Sequence, residues 1–197
     1  MKIVVWSGKG GVGKSSITSA LLQILPNYQV ITNDKLHPYN FILSQDKFFL
    51  VPSDKEIPYF EDENLIYDFG GFGDERIKRF IQKGNDLIIL IPFNSDIVSY
   101  QSAISVFQEI KKYTNNENIF FVLNRSKKGD YEVFKEQMEK QGINKSLLEI
   151  KESKLFQNIF NKREKIEDIK NDKLLKHSYR AVLEQMNNLV KEIMKWQ

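Results

Sequence analysis

The sequence has no cysteine and only two histidines, His37 and His177. The lack of cysteine excludes disulfides and thiolate metal sites, and it is compatible with a reducing cytoplasm. Two histidines so far apart in the chain do not suggest a zinc site. No apolar run approaches the roughly 20 residues that span a bilayer, and the apolar run at residues 3–6 is too short for a secretory signal. We therefore expect a cytoplasmic protein without an integral membrane segment.

The sequence has only a small excess of positive over negative charge, and this excess is unevenly distributed along the chain. The 197 residues carry a net charge of +3. Residues 1–150 contain 18 basic and 19 acidic side chains, whereas residues 151–197 contain 11 and 7. The length fits a single domain, which we expect to span residues 1–197. Any surface for a polyanion is expected in the C-terminal part.

A glycine-rich stretch at residues 7–16 lies between the apolar runs 3–6 and 17–22. It fits the pattern G-x-x-x-x-G-K-[ST] and predicts a strand, a phosphate-binding loop and a helix. The loop glycines leave room for backbone N–H groups to converge on a polyphosphate at a helix N-terminus. Lys14 is placed for the β- and γ-phosphates, and the Ser15 hydroxyl for Mg²⁺. The predicted nucleotide-binding residues are Gly8, Lys9, Gly10, Gly11, Val12, Gly13, Lys14, Ser15 and Ser16.

The loop contains another lysine, Lys9, ahead of Lys14. With this lysine the stretch resembles the loop of the deviant Walker A ATPases. These include ParA-type partition proteins, MinD-type division-site proteins and, more distantly, nitrogenase iron protein. In that family the early lysine reaches across an ATP-sandwiched dimer to the partner's nucleotide. The resemblance implies a homodimer with ATP, in which Lys9 and Lys14 take part in catalysis. The alternative for Lys9 is a solvated loop lysine.

Two aspartates follow predicted strands. Asp34 comes after the strand at residues 28–32, where the resembled family has an aspartate, often within D-x-D-P, that positions the attacking water and the metal shell. Only one aspartate is present here, and a turn aspartate is the alternative. Asp68 ends an apolar strand before Gly70 and Gly71, as a Walker B carboxylate does before a mobile switch loop. The resemblance thus implies Mg²⁺ held with the help of Ser15, Asp34 and Asp68, with a plain strand-end turn as the alternative for Asp68.

Three further polar residues follow apolar runs later in the chain. Asn124 and Arg125 follow the apolar run at residues 119–123 and match the family's N-R pair. An asparagine amide can both donate to and accept from an adenine edge, although a simple turn is the alternative. Asp96 precedes an amphipathic pattern at residues 97–113, which favours a role as its helix N-cap.

The C-terminal segment predicts a long helix over residues 172–195, since apolar residues recur there every three or four positions. Basic side chains occupy the other side, and non-specific DNA contact needs only such a patch. The alternative is a solvated helix face with an Arg180–Glu184 pair. The predicted DNA-binding residues are Lys173, Lys176, Arg180, Lys191 and Lys195.

Alternating strands and helices behind a phosphate loop predict an α/β fold, a phosphate-loop NTPase with a mostly parallel sheet covered by helices on both faces. No DNA-binding domain precedes the loop, so the chain resembles the short partition ATPases. The resemblance implies a slow ATPase that associates with the nucleoid when ATP-bound and segregates plasmid or chromosomal DNA with a centromere-binding, ParB-type adaptor.

Two other functions are compatible with this fold. A MinD-type membrane-positioning ATPase needs an amphipathic tail held off the core, and residues 189–197 are predicted to continue a packed helix instead. A metallochaperone GTPase is suggested by residues 32–34, but the chain lacks the cysteines or clustered histidines that would deliver a metal.

Overall fold

A computed structural model describes residues 1–70, 73–84 and 86–196. Its sheet has the strand order β3-β2-β4-β1-β5-β6-β7, and every neighbouring pair is parallel. This confirms the predicted sheet. The strands are β1 (Lys2–Trp6), β2 (Gln29–Thr32), β3 (Phe48–Leu50), β4 (Leu65–Phe69), β5 (Leu87–Asn94), β6 (Ile119–Ser126) and β7 (Ser146–Lys151).

Helices connect these strands and cover both faces of the sheet. In the described part of the chain they are α1 (Lys14–Ile24), α2 (Tyr39–Ile42), α3 (Glu75–Lys83), α4 (Ile97–Tyr113), α5 (Asp130–Lys140), α6 (Leu155–Asn161), α7 (Ile166–Asn171), α8 (Lys173–Ser178) and α9 (Arg180–Met194). None of them is long and apolar enough to cross a membrane.

The apolar residues of β1 divide the core between the two faces of the sheet. Ile3 and Val5 belong to a cluster with α1, α6, α7 and α9, whereas Val4 and Trp6 belong to a cluster with α3, α4 and α5. Side chains alternate between the faces of a strand, so a strand between two helix layers must be apolar throughout. The continuous apolar runs are therefore the strands that the helices cover, and their carboxyl ends carry the polar loops.

The predicted single helix over residues 172–195 is wrong in one respect. The chain forms α8 and α9, and Tyr179 between them leaves helical geometry with φ −106° and ψ 10°. The Tyr179 hydroxyl accepts a hydrogen bond of 2.9 Å from Asn158 in α6. Apolar spacing continues across this break, so periodicity alone could not reveal it. The last predicted residue of the tail, Gln197, lies outside the described residues.

Candidate functional site

The glycine-rich loop connects β1 to α1 and lines a cavity of about 360 Å³. Asp34, beyond β2, and Gly70, beyond β4, close the opposite wall, since the carboxyl ends of neighbouring parallel strands meet at one edge of the sheet. The structure therefore places seven of the nine predicted loop residues beside Asp34, whereas Lys9 and Val12 do not line the cavity. The lining residues are Gly8, Gly10, Gly11, Gly13, Lys14, Ser15, Ser16, Asp34, Gly70 and Arg125. The other predicted switch glycine, Gly71, lies outside the described residues.

The side chain of Asn124, in β6, forms a hydrogen bond with the backbone of the loop. It is 2% exposed, and its Nδ2 donates to the Val12 carbonyl oxygen at 2.8 Å. Gly13 packs so closely against it that a Cβ on Gly13 would lie 2.2 Å from Asn124 Nδ2. Gly13 also has φ +91°, in the left-handed region that glycine favours. The loop shape thus depends on Gly13 and on a strand-end amide far along the chain.

A second cavity of about 570 Å³ adjoins the first. Ser16 and Arg125 belong to the walls of both cavities, and Asn124 also faces the second. Its walls combine aromatic rings with polar side chains, a lining suited to a flat heteroaromatic group. The lining residues are Ser16, Asn124, Arg125, Glu152, Ser153, Lys154, Phe156, Gln157, Phe160 and Asn161.

Asp68 is the most deeply buried carboxylate at the site. It is 1% exposed and accepts hydrogen bonds from Ser15 Oγ at 2.7 Å and from the Tyr39 hydroxyl at 2.5 Å. Its Oδ1 is buried and has no hydrogen-bond partner among the described residues. Burial raises the pKa of Asp68, although the hydrogen bonds from Tyr39 and Ser15 and the charge of Lys14 oppose the rise. A buried carboxylate oxygen without a partner, beside a serine hydroxyl, fits a hard cation such as Mg²⁺.

The protein ligands available to such a cation are few. The described residues contain no group of three or more His, Cys, Asp or Glu side chains that could hold a metal ion. Mg²⁺ is commonly bound by one or two carboxylates together with substrate phosphates and water. The Ser15–Asp68 pair therefore fits an ion that arrives with a nucleotide.

Tyr39, which sequence reasoning missed, is fully buried and close to Asp68. Burial, followed by the charge of Asp68, raises the pKa of the Tyr39 phenol, so the hydroxyl stays protonated and donates. No spacing in the sequence indicates this pair, because α2 and β4 meet only through the tertiary fold. The hydrogen bond compensates for part of the cost of burying the Asp68 charge.

We expect Tyr39→Phe to destabilise the protein by about 1.5–3 kcal/mol near neutral pH, the range for a hydrogen bond to a charged group. Because the folded pKa of Asp68 is already raised, stability from this group declines as the pH rises from about 4, where an unfolded aspartate titrates. Because the hydrogen bond from Tyr39 lowers the pKa of Asp68, removing it raises this pKa further and enlarges the loss of stability with rising pH. Urea unfolding from pH 4.5 to 8 should show a loss that grows with pH.

The matched control is Tyr67→Phe. Tyr67 is also fully buried, but its hydroxyl donates to the neutral Pro58 carbonyl oxygen at 3.0 Å. The loss of unfolding free energy in Tyr67→Phe should not vary across this pH range. If Tyr39→Phe shows the same flat profile as Tyr67→Phe, then Tyr39 does not stabilise the charged form of Asp68.

Asn33 joins the segments that follow β2 and β4. Its Oδ1 accepts from Gly70 N at 2.8 Å, and its Nδ2 donates to Asp74 Oδ2 at 2.8 Å. Asp74 caps α3, and hydrogen bonds from Arg76 bring the pKa of Asp74 down to about 2. Asp34 lies next to this junction, since a Cβ on Gly70 would be 2.8 Å from Asp34 Cβ. Asn33 occurs in the sequence pattern at residues 32–34, but nothing in that pattern indicates these contacts with Gly70 and Asp74.

Lys9 forms an ion pair within the chain. Its Nζ lies 2.9 Å from Asp96 Oδ1, which also accepts from Ser99 N at 2.7 Å as the N-cap of α4. The structure thus agrees with the predicted cap and adds the pair, and the hydrogen bond from Lys9 lowers the pKa of Asp96. Both side chains are over a third exposed. A pair this exposed contributes at most about 1 kcal/mol, so Lys9 can exchange partners at little cost.

The predicted DNA-binding residues separate into two groups. Lys173, Lys176 and Arg180 line one groove of about 740 Å³, together with Lys170 and His177. Lys191 and Lys195 lie near the other end of α9, about 17 Å and about 22 Å along the helix from Arg180 at 1.5 Å per residue.

Two of these five cations have carboxylate neighbours. Arg180 Nε lies 2.8 Å from Glu184, and Lys195 Nζ lies 2.7 Å from Glu192. Such exposed pairs are weak, so both cations remain available to a phosphate.

The sequence matches one family model, described as the CobQ/CobB/MinD/ParA nucleotide binding domain, over residues 3–175. This match includes the loop, both aspartates and the Asn124–Arg125 pair. No curated protein sequence matches the chain significantly.

Solved structures share the fold at low sequence identity. A putative plasmid partition protein from Borrelia burgdorferi bound to AMPPNP has a TM-score of 0.64 at 16% identity, with 98% of each chain covered. Apo McdA from Cyanothece has a TM-score of 0.63 at 15% identity, with 94% of this chain and 98% of that chain covered. MinD from Aquifex aeolicus has a TM-score of 0.60 at 17% identity, with 96% of each covered.

Proposed function

Because the chain belongs to the CobQ/CobB/MinD/ParA family of nucleotide-binding domains, we propose that it is a Mg²⁺-dependent ATP hydrolase, formed by a single domain, that acts as a dimerising switch. In its ATP-bound dimer it binds DNA non-specifically and segregates plasmid or chromosomal DNA together with a cargo-bound, ParB-type adaptor. It is cytoplasmic, and it joins the nucleoid when ATP is bound. The observation that carries the proposal is the pair of cavities joined at Ser16 and Arg125, one suited to phosphates and one to a base.

In this proposal the loop residues bind the polyphosphate. The glycines expose backbone N–H groups, and the N-terminus of α1 adds partial positive charge. Lys14 supplies a full charge at the first position of that helix. The base enters the second cavity, where Asn124 and Arg125 line the wall beside Phe156 and Phe160. Asn124 thereby couples the base site to the shape of the loop.

Ser15 and Asp68 would hold Mg²⁺, with Asp34 next to its shell. The bound ion neutralises charge on the phosphates. Tyr39 keeps the Asp68 carboxylate oriented toward Ser15. Asp34, in the wall of the phosphate cavity, orients the attacking water. The Asn33 contacts with Gly70 and Asp74 keep Asp34 and the segment after β4 in register.

Lys9 is the residue that makes the switch dimeric. In the single chain it pairs with Asp96 at the surface. In the ATP-bound dimer it leaves Asp96 for the nucleotide of the other copy, where a phosphate offers a stronger charge partner. Turnover is then slow until a partner protein stimulates it, as a timing switch requires.

The groove of Lys173, Lys176 and Arg180 is the proposed DNA surface. Lys173 and Lys176 lie on α8 and Arg180 is the first residue of α9, and all three side chains are exposed. Each protomer offers only a few phosphate contacts, so one copy binds weakly, and pairing two copies raises the affinity without new contacts. DNA binding therefore depends on ATP.

The test is a fluorescence anisotropy titration of duplexes of unrelated sequence, with Mg²⁺ and either ATP or ADP, at low and moderate salt. The parent should bind each duplex alike, more tightly with ATP, and more weakly as salt increases. We expect Lys176→Glu plus Arg180→Glu to weaken binding by about tenfold or more, because phosphate contacts dominate the affinity. Lys9→Ala should bind ATP but lose the ATP dependence of DNA binding.

The matched control is Lys135→Glu plus Lys140→Glu, which makes the same charge change on the exposed side of α5. It should reduce DNA affinity much less. If both double variants lose the same DNA affinity, the effect comes from net charge and not from this groove. If Lys176→Glu plus Arg180→Glu binds DNA like the parent, the DNA surface lies elsewhere. Liposome co-sedimentation addresses the MinD-type alternative, which requires α9 to leave the core although Leu189 and Ile193 are 1% and 0% exposed.

A further inference from the structure

An apolar groove lies where β2 and the edge strand β3 meet the segments that precede β3 and β4. On its other side β3 has no neighbouring strand among the described residues. The groove has a volume of about 450 Å³. Phe49 from β3 and Phe60 from the connection to β4 are 54% and 42% exposed in its wall. Apolar side chains gathered at the surface of one groove, with polar residues around them, are typical of an interaction site. The lining residues are Gln29, Val30, Ile31, Gln45, Asp46, Phe48, Phe49, Pro58, Phe60, Glu63 and Leu65.

The charged side chains that line this groove are all acidic. Its charged lining residues are Asp46 and Glu63, and Glu61 and Asp62 lie between Phe60 and Glu63 in the chain. None of these four carboxylates forms an ion pair with any residue that the structure describes. The neighbouring cation, Lys47, directs its Nζ to the Pro26 carbonyl oxygen at 3.0 Å. The groove therefore presents a net negative charge, which the neighbouring charge of Lys47 offsets only in part at Asp46.

The open edge of β3 lies next to the groove and offers backbone groups of its own that no described strand pairs. Val51 N donates to the Thr32 carbonyl oxygen at 2.8 Å, across to β2. Successive N–H groups of a strand point in opposite directions, so the N–H of Leu50 points to the open edge. A chain laid along β3 can pair with this edge as well as fill the apolar groove.

We propose that this groove docks an extended cationic peptide segment of a partner protein. An apolar side chain of the peptide packs against Phe49 and Phe60, and lysine or arginine side chains on either side approach Asp46 and Glu63. A second copy of the chain is a poor occupant, since a symmetric contact would bring the same carboxylates face to face. The groove shares no residue with either nucleotide cavity, so this inference does not depend on the proposed function.

The probe is a fluorescein-labelled decapeptide of alternating lysine and valine, compared with a decapeptide of alternating glutamate and valine. Anisotropy titrations at low and moderate salt should show salt-sensitive binding of the lysine peptide and no binding of the glutamate peptide. Phe49→Ser plus Phe60→Ser, and separately Glu63→Lys, should each weaken binding of the lysine peptide by about tenfold, because they remove the apolar contact or reverse a rim charge.

Matched controls use the same substitutions outside the groove. Phe41→Ser alters a 68% exposed ring in α2, and Glu132→Lys alters an exposed carboxylate of α5. Both should bind the peptide like the parent. Leu50→Pro should weaken binding more than Leu50→Ala, since only proline removes the outward N–H. Equal binding of both peptides, or equal affinity in groove and control variants, would overturn the proposal. ATP binding and thermal unfolding, unchanged in the groove variants, would separate this outcome from misfolding and from failure of the nucleotide site.

Discussion

Lys14→Ala is expected to abolish nucleotide binding. Lys14 is the first residue of α1 and lines the 360 Å³ cavity formed by the loop. A hydrogen bond between charged groups contributes about 1.5–3 kcal/mol, and a lysine at a polyphosphate makes more than one such contact. Calorimetry with ATP and Mg²⁺ should show a loss of affinity of about 100-fold or more, which corresponds to roughly 2.7 kcal/mol.

The loss should come without loss of the fold. The Lys14 side chain is partly exposed and forms no ion pair with any residue in the described part of the chain, although its charge favours the Asp68 carboxylate. Thermal unfolding of the variant should therefore stay cooperative and show only a small loss of stability. Lys128→Ala, in the exposed loop before α5, is the matched control and should bind ATP normally. Parent-like ATP affinity in Lys14→Ala would remove the basis of the proposed function.

Gly13→Ala is expected to damage both the fold and the site. Gly13 has φ +91°, and the added Cβ would lie 2.2 Å from the buried Asn124 amide. An L-residue held at such a φ costs about 1–3 kcal/mol, and overpacking in a rigid interior adds about 1–3 kcal/mol. We expect urea unfolding to show a destabilisation of about 2–6 kcal/mol from these two causes. ATP binding should be lost, because Asn124 cannot move without changing the loop.

Gly10→Ala is the control for this prediction. A Cβ at Gly10 would meet nothing within 4 Å, and its φ lies outside the left-handed region. This variant should change stability by less than about 1 kcal/mol. The double variant Gly13→Ala plus Asn124→Ala removes the clash but keeps the unfavourable φ, so it should recover part of the stability. Full stability in Gly13→Ala alone would show that the loop in solution differs from this geometry.

Most of the fold could be predicted from local patterns. Apolar runs predicted the buried parallel strands, and Asp96 before an amphipathic pattern predicted the start of α4 at Ile97. These features depend on neighbours in the chain, since capping and side-chain alternation act within a few residues. The predicted helix over residues 172–195 failed at Tyr179 because a contact with Asn158 in α6 accompanies the break. Apolar spacing carries no information about such a partner.

The candidate site shows the same division. The loop could be found in the sequence because its glycines, Lys14 and Ser15 are contiguous, and the chemistry of phosphate binding demands those residue types in that order. The sequence by itself determined that a phosphate loop is present and that strands and helices alternate after it. The resemblance already grouped Ser15 with Asp68, and the structure adds the hydrogen bond between them. The pairing of Asp68 with Tyr39 and of Asn124 with the loop was decided by the tertiary structure alone. The physical reason is that β4 lies beside β1 in the sheet, so residues distant in the chain share one buried space only after the strands have paired.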